Sequence, residues 1–169
     1  DADVVILDYS LMDAEVLAEC RRLRFVAFLG IGYASCIDIE AATRQGVVVS
    51  NTPDYGATSV AEHALGMILT LTRHIAMSYV SLREGRWEPG RFQGIELRGK
   101  TLGIVGLGPI GMEMARLGAG IGMSLLGWTR RLSPERAEHG LTLVAIEELF
   151  SRSDVVSLHL SYTPDTAGI

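Results

Sequence analysis

The chain has 169 residues, 48% of them hydrophobic, which is enough for one full domain or one domain plus part of another. Its net charge is −5 with no block of like charge, which argues against a nucleic-acid partner or an anionic membrane surface. Cys20 and Cys36 stand alone, with no CxxC motif and no histidine cluster, so we expect reduced thiols, no metal site and a cytoplasmic location. The opening "DADVVILDYS" lacks a basic signal region, and the longest apolar segment carries charges, so no membrane segment is expected.

The first third of the chain alternates short apolar runs with helical patterns. Residues 4–7, "VVIL", and residues 25–30, "FVAFLG", have the continuous hydrophobicity of buried parallel strands. Helical spacing separates these runs, and a second helical pattern, "IDIEAATRQG", ends at Gly46. A third strand at 47–50 leads into the turn residues "NTPDYG" at 51–56. The alternation predicts an α/β fold with a parallel sheet, and we place the end of a first domain, 1–56, at this turn.

The rest of the chain, 57–169, begins with a helix and continues as a second α/β series. Apolar residues recur every three or four positions from Thr58 to about Gly85, which predicts one long helix. A connector rich in glycine and charge follows, and then helices alternate with the strands "TLGIVG", "SLLGWT" and "DVVSLHL". A doubly wound dinucleotide domain needs about six strands, so we expect both domains to be incomplete in this chain.

The sequence "TLGIVGLGPIG" places Gly106, Gly108 and Gly111 in the pattern GxGxxG, between a predicted strand and a predicted helix. In that setting the first glycine permits a tight turn, the second lets a diphosphate approach the backbone, and the third lets the helix pack on the strand. Pro109 suits the first helical turn, and the helix N-terminus attracts phosphate. We therefore predict a dinucleotide site; the alternative is a purely structural glycine turn.

The next predicted strand ends in "GWTRR", where an NAD-binding domain usually places a carboxylate for the ribose diol. Thr129 stands there instead, so no acid at this position repels the 2′-phosphate of NADP. Arg130 can pair with that phosphate through two hydrogen bonds, and Arg131 adds longer-range attraction. We predict NADP as the preferred cofactor, with NAD possible; the alternative is that these arginines are ordinary surface charges.

Four blocks follow one another along the sequence: "GIGYASCIDIEAATRQGV", "VSNTPDYGATSVAEHALGMIL", "GIELRGKTLGIVGLGPIGMEMA" and "SDVVSLHLSYTPDTAGI". With them the chain resembles the D-isomer-specific 2-hydroxyacid dehydrogenases, a family that includes hydroxypyruvate and glyoxylate reductases and phosphoglycerate dehydrogenases. The resemblance implies a Rossmann-type doubly wound parallel sheet within 57–169 and a flavodoxin-like substrate-side domain within 1–56, with the active site in the cleft between them. It also implies a homodimer built by about 58–97.

The resemblance also implies positions for the binding groups. In the family, backbone N–H groups of a GxG loop hold the substrate carboxylate, which points to Ile31 and Gly32 here, although an ordinary turn is the alternative. Some relatives with phosphorylated substrates carry arginine just before this loop, where this chain has Phe28, which favours a substrate with one carboxylate and no phosphate. The glycine turn would hold the pyrophosphate, the residues after the second strand the ribose, and two later residues the adenine. The cofactor-binding set is Gly106, Gly108, Pro109, Ile110, Gly111, Thr129, Arg130, Arg131, His159 and Leu160.

The catalytic residues of the family are an arginine, a glutamate and a histidine that follow the "HLSYTPDT" block. They would lie beyond Ile169, so we assign no catalytic residue and expect this chain alone to be inactive. We interpret the intact protein as an oxidoreductase that transfers a hydride between NAD(P)H and a small, D-specific 2-keto or 2-hydroxy acid. Two alternatives stay open: a non-catalytic, corepressor-like NAD(P)-sensing protein of the same fold, and an adenosylhomocysteinase-like hydrolase.

Overall fold

The computed structural model describes residues 2–53, 55–130, 139–163 and 165–169, and it forms two compact units, Asp1–Gly56 and Ala57–Ile169. Arg131, one of the residues assigned to the cofactor, lies outside the described residues. Each unit contains its own parallel sheet and its own hydrophobic core. The predicted α/β fold with parallel sheets is confirmed.

The first unit is a three-stranded parallel sheet in the order β1-β2-β3. Asp13 and Asp38 cap its two α-helices, because each carboxylate accepts a hydrogen bond from a first-turn N–H group. Gly46, with φ of 75°, ends the second helix in the left-handed conformation that its position predicts. A short 3-10 turn lies at Tyr33–Ser35. The strands and helices are β1 (Val4–Leu7), α1 (Ala14–Glu19), β2 (Phe25–Phe28), α2 (Ile39–Gln45) and β3 (Val48–Ser50).

The second unit holds a four-stranded parallel sheet in the order β6-β5-β4-β7. Because β4 comes first along the chain, this is the 3-2-1-4 order of a Rossmann sheet, in which the direction of winding reverses beside the first strand. Ligands of such sheets bind at the carboxyl ends of the strands at that reversal. The elements are α3 (Ala57–Thr72), α4 (Ile75–Arg83), β4 (Thr101–Val105), α5 (Pro109–Gly120), β5 (Ser124–Trp128), β6 (Thr142–Leu143), α6 (Ile146–Arg152) and β7 (Val155–Leu158).

The core of the second unit covers both faces of the sheet. Leu102 and Ile104 of β4 are fully buried on one face, together with Met114 of α5 and Ala61 of α3. Val105 points to the opposite face, where α6 contributes the buried side chain of Leu149. The packing on both faces fixes the carboxyl end of β4, from which the glycine turn departs.

The prediction of a single long helix from Thr58 to about Gly85 is wrong, because the helix is interrupted between Thr72 and Ile75. The chain bends by 63° between α3 and α4, and His74 takes a left-handed conformation with φ of 53°. A distant residue contacts the chain at this break: the N–H group of Ile95 donates a hydrogen bond to the carbonyl of Thr72 at 2.8 Å. Apolar residues continue through the break, so periodicity alone does not show it.

No single helix among the described residues is long and apolar enough to cross a membrane; α3 and α4 meet that criterion only as a bent pair.

Candidate cofactor and substrate sites

The turn between β4 and α5 needs glycine at two of its three glycine positions. Gly106 has φ of 96°, and a Cβ added to it would lie 2.5 Å from the carbonyl oxygen of His159. A Cβ on Gly111 would overlap the carbonyl oxygen of Gly106, so glycine lets α5 begin this close to β4. Gly108 differs, because its φ of −77° and ψ of −172° suit any residue and a Cβ there would meet no described atom within 4 Å. The packing of the described residues therefore explains Gly106 and Gly111 but leaves Gly108 unexplained.

The open space over Gly108 suits a diphosphate. The first turn of α5, which starts at Pro109, has no intrahelical acceptors for the N–H groups of Ile110 and Gly111. No other group in the described part of the chain accepts a hydrogen bond from these two N–H groups. The helix N-terminus adds a partial positive charge directed at the same space. These residues therefore fit the pyrophosphate of a dinucleotide, with backbone rather than side chains facing it.

The segment that follows β7 forms one wall of the glycine turn. The N–H group of His159 donates to the carbonyl of Val105 at 2.7 Å, which extends the pairing with β4 beyond the end of the strand. The side chain of Leu160 lies against Gly106. The structure thus brings His159 and Leu160, both assigned to the cofactor from the sequence, into contact with the first glycine of the turn.

The His159 imidazole is half-buried, and its Nε2 lies 2.9 Å from Oγ of Ser157. Burial lowers the pKa of His159, because the charged imidazolium loses more hydration than the neutral ring. The ring is therefore neutral at neutral pH, and the wall beside the glycine turn carries no positive charge from this residue.

This pKa shift predicts a pH dependence of stability. Because the pKa of His159 is lowered by folding, the unfolded chain binds a proton there more readily than the folded chain. The free energy of unfolding is expected to fall as the pH drops through the unfolded value of about 6.5, and to level off below the folded-state pKa. Urea denaturation at pH values on either side of 6.5 measures this decrease.

In the variant His159→Gln, the free energy of unfolding should decrease less over the same pH range. His63→Gln is the matched control, since it removes an exposed histidine from α3. Identical pH profiles for wild-type and His159→Gln would show that His159 does not contribute.

A cavity of about 820 Å³ opens at the end of β5, one strand away from the glycine turn. The two are connected by a backbone hydrogen bond of 2.9 Å, in which the N–H group of Gly106 donates to the carbonyl of Trp128. The structure places Thr129 and Arg130 in the wall of this cavity, and the other residues that line it were not predicted from the sequence. Part of that wall comes from β6, a two-residue strand too short to leave a hydrophobic pattern. The lining residues are Trp128, Thr129, Arg130, Leu143, Val144, Ala145 and Glu148.

The Arg130 guanidinium is paired with Asp165, which the sequence analysis did not identify. Nη1 lies 3.1 Å from Oδ2 of Asp165, and Nη2 lies 3.4 Å from the carbonyl oxygen of the same residue. The side chains are 54% and 75% exposed, so water screens the attraction and the pair is weak. The two residues are 35 positions apart, and no local sequence signal links them.

In the first unit, the GxG loop after β2 has its carbonyl groups paired and its N–H groups open. The N–H group of Thr52 donates to the carbonyl of Gly30 at 3.0 Å, and Nδ2 of Asn51 donates to the carbonyl of Ile31 at 3.4 Å. Among the residues that the structure describes, none accepts a hydrogen bond from the N–H groups of Gly30, Ile31 or Gly32. Ile31 and Gly32 are exposed. Adjacent open N–H groups of this kind suit an anion such as a carboxylate.

A parallel sheet in the 3-2-1-4 order, with a glycine turn at the carboxyl end of its first strand, defines a dinucleotide-binding α/β protein. Residues 65–169 match the model of the D-isomer-specific 2-hydroxyacid dehydrogenase family, NAD-binding domain. The chain belongs to this family, and the resemblance noted in the sequence is confirmed.

Known proteins are similar along nearly the whole chain. D-3-phosphoglycerate dehydrogenase from Archaeoglobus fulgidus is 40% identical over 167 residues, which are 98% of this chain and 32% of that protein. The apo structure of D-lactate dehydrogenase from Escherichia coli aligns with a TM-score of 0.85 and 34% identity, covering 97% of this chain and 52% of that one. An acyclic imino acid reductase in complex with NADPH and D-Arg aligns with a TM-score of 0.84 and 28% identity, covering 98% and 52%. The chain thus spans about a third of the curated relative and about half of each solved chain.

Proposed function

We propose that the protein carrying this chain is a dehydrogenase that transfers a hydride between NAD(P)H and a small, D-specific 2-keto or 2-hydroxy acid. The second unit supplies a turn that fits the cofactor diphosphate, and the first unit supplies a loop of open N–H groups. The main support for the proposal is the open space over Gly108, because no contact with the described residues requires glycine at this position. The nicotinamide of the bound cofactor supplies the hydride chemistry, and the residues of this chain bind and orient.

The proposed role of the GxG loop is to hold the substrate carboxylate. Ile31 and Gly32 are exposed, and their N–H groups have no acceptor among the described residues, so a carboxylate can accept from both without displacing a protein group. Fixing one end of a small acid restricts the position of its reacting carbon, which is how binding accelerates a bimolecular step. We assign no residue of this chain to proton transfer.

The proposed substrate has one carboxylate and no phosphate. Phe28, two residues before Gly30, is only 4% exposed and belongs to the core of the first unit. Its ring lies beside Gly30, where an added Cβ would come within 2.7 Å of Cε1. This position therefore offers a phosphate neither a charge nor a hydrogen bond. The curated relative named above is a D-3-phosphoglycerate dehydrogenase, so D-3-phosphoglycerate belongs in any test of this point.

The proposed cofactor preference is for NADP, with NAD also used. Thr129 stands where an acid would repel the 2′-phosphate, and Arg130 lies exposed in the wall of the same cavity. An exposed ion pair such as Arg130–Asp165 is worth at most about 1 kcal/mol. A bidentate contact between arginine and phosphate is stronger, so the phosphate can displace Asp165.

The proposal includes a cytoplasmic homodimer. Lone, unpaired thiols are typical of a reducing compartment, and Cys20 and Cys36 are both free. A partner subunit would cover apolar side chains that are exposed along α3 and α4. These are Met67, Leu71, Ile75, Met77, Val80 and Leu82.

Titration of the full-length protein with NADPH and NADH tests the cofactor assignment. Trp128 lines the cavity, so quenching of tryptophan fluorescence reports binding directly. We expect NADPH to bind about 10-fold more tightly than NADH, a difference of about 1.4 kcal/mol. Arg130→Ala should remove this difference because it deletes the phosphate ligand, whereas Arg116→Ala, on the exposed face of α5, should keep it.

Tenfold tighter binding of NADH would contradict the role of Arg130. Substrates are then compared by following oxidation of the preferred reduced cofactor with glyoxylate, pyruvate and hydroxypyruvate, and reduction of the corresponding oxidised cofactor with D-3-phosphoglycerate. Turnover of D-3-phosphoglycerate alone would contradict the proposed substrate class.

A further inference from the structure

We propose that Asp165 is a specificity-determining residue that competes with the 2′-phosphate of NADP for the Arg130 guanidinium. This inference rests on the proposed function, because it concerns the same cavity and the same cofactor. Asp165 supplies an internal carboxylate to the arginine that would otherwise be open to phosphate. It thereby reduces the preference for NADP over NAD.

The competition follows from the geometry of the guanidinium. Arg130 directs both terminal nitrogens at Asp165, Nη1 to the carboxylate and Nη2 to the backbone carbonyl. A bidentate contact with phosphate uses two N–H groups of the same planar fork. A phosphate that binds end-on, through Nη1 and Nη2, must therefore displace Asp165 from at least one nitrogen. Even after displacement, the carboxylate stays close enough to repel a doubly charged phosphate.

Residues close to Asp165 in the sequence are hydrogen-bonded to one another. The neighbouring Thr166 accepts a hydrogen bond from the N–H group of Thr163 at 2.8 Å and donates through its hydroxyl to the carbonyl of Ser161 at 2.6 Å. The N–H group of Ala167 also donates to the carbonyl of Thr163, at 2.9 Å. The carboxylate therefore projects on a short side chain from a turn that its neighbours fix.

Among the residues that the structure describes, no other charge in the cavity wall performs this role. Glu148 is the second acid near Arg130, but its carboxylate pairs with Arg152 on the same helix. Asp165 pairs with Arg130 and with no other basic side chain in the described part of the chain. Among the described acids, Asp165 is thus the one whose charge acts directly on the phosphate-binding arginine.

The test is Asp165→Asn in the full-length protein, with dissociation constants for NADPH and NADH measured by fluorescence and calorimetry. Removing the charge should tighten NADPH binding about 5- to 10-fold, because the ion pair and the repulsion both disappear. NADH binding should change less than about 2-fold, since it lacks the phosphate. Glu147→Gln, which removes an exposed charge from the same unit outside the cavity wall, should change neither constant.

The Arg130→Gln background separates this inference from the function on which it rests. In that background Asp165→Asn should tighten NADPH binding much less, because the arginine for which the two anions compete is gone. If Arg130→Gln alone leaves NADPH affinity unchanged, the proposed cofactor preference fails. If Arg130→Gln weakens NADPH binding but Asp165→Asn does not tighten it, only the role of Asp165 fails. Asp165→Ser provides a second uncharged variant, and weaker NADPH binding in both would show that Asp165 positions Arg130 instead of opposing phosphate.

Discussion

Replacing Gly106 with alanine is expected to lower the free energy of unfolding of the second unit by about 3 kcal/mol or more. The backbone at φ of 96° strains any side chain, at a cost of about 1–2 kcal/mol. The added Cβ would also lie 2.5 Å from the carbonyl oxygen of His159 and 2.8 Å from its carbonyl carbon. These are backbone atoms, tied to β4 by the 2.7 Å hydrogen bond from His159 to Val105, so they cannot move away without disturbing the sheet. Urea denaturation of wild-type and variant measures the loss.

Gly99→Ala is the matched control, because it separates backbone strain from close contact. Gly99 has φ of 76° in the same unit, but a Cβ there would meet no described atom within 4 Å. The expected loss is therefore only about 1–2 kcal/mol, from strain alone. Equal losses in the two variants would show that the approach of the His159 backbone places no demand on Gly106.

The glycine turn could be predicted from sequence because its pattern is local, although one of its contacts is not. Gly106 and Gly111 are five residues apart, and a Cβ on Gly111 would overlap the carbonyl oxygen of Gly106, whereas the backbone that approaches Gly106 is that of the distant His159. The strand before them and the helix after them are marked by apolar runs and by Pro109 at the first helical position. A short motif with its flanking elements therefore contains most of the information that the local structure needs. The α/β class could be predicted for the same reason, because apolar runs and helical spacing alternate along the chain.

The features that the sequence did not reveal depend on residues that lie far apart along the chain. At the break after α3, the N–H group of Ile95 donates to the carbonyl of Thr72, and no residue pattern near position 72 indicates that contact. Asp165 reaches Arg130 because the second unit arranges its strands in the order β6-β5-β4-β7, with the carboxyl ends of all four at one edge. Local patterns locate strands and helices, but strand order decides which of their ends form a site.

The three glycines of the turn differ in whether contacts within the protein explain them. Gly106 and Gly111 are explained by contacts with backbone atoms of the protein itself, so their replacement should first affect stability. Gly108 has an ordinary conformation and open space, so its replacement should first affect what binds there. A change at Gly108 can therefore test ligand binding without the unfolding that complicates most changes in glycine-rich turns.

Gly108→Asp is expected to weaken the binding of NADPH and NADH at least about 100-fold, or about 2.7 kcal/mol, while the fold stays at least as stable. Gly108 is the N-cap residue of α5, and its extended conformation is the one in which aspartate caps helices well. The new carboxylate would accept hydrogen bonds from the N–H groups of Ile110 or Gly111, which the diphosphate needs, and its charge would repel the phosphates. The melting temperature should stay unchanged or rise by a few degrees. Calorimetric titration and thermal denaturation measure the two effects.

Gly108→Asn distinguishes charge from occupied space. Asparagine caps the helix as well as aspartate does but is neutral, so it should weaken cofactor binding by about 10-fold, through competition for the N–H groups and lost room. A larger loss for aspartate than for asparagine, with both proteins folded, would place negative groups of the cofactor over Gly108. If the aspartate variant keeps wild-type affinity for both cofactors, no diphosphate binds over this turn. The glycine at position 108 would then have no ligand to explain it, and the assignment of the cofactor site to the start of α5 would be wrong.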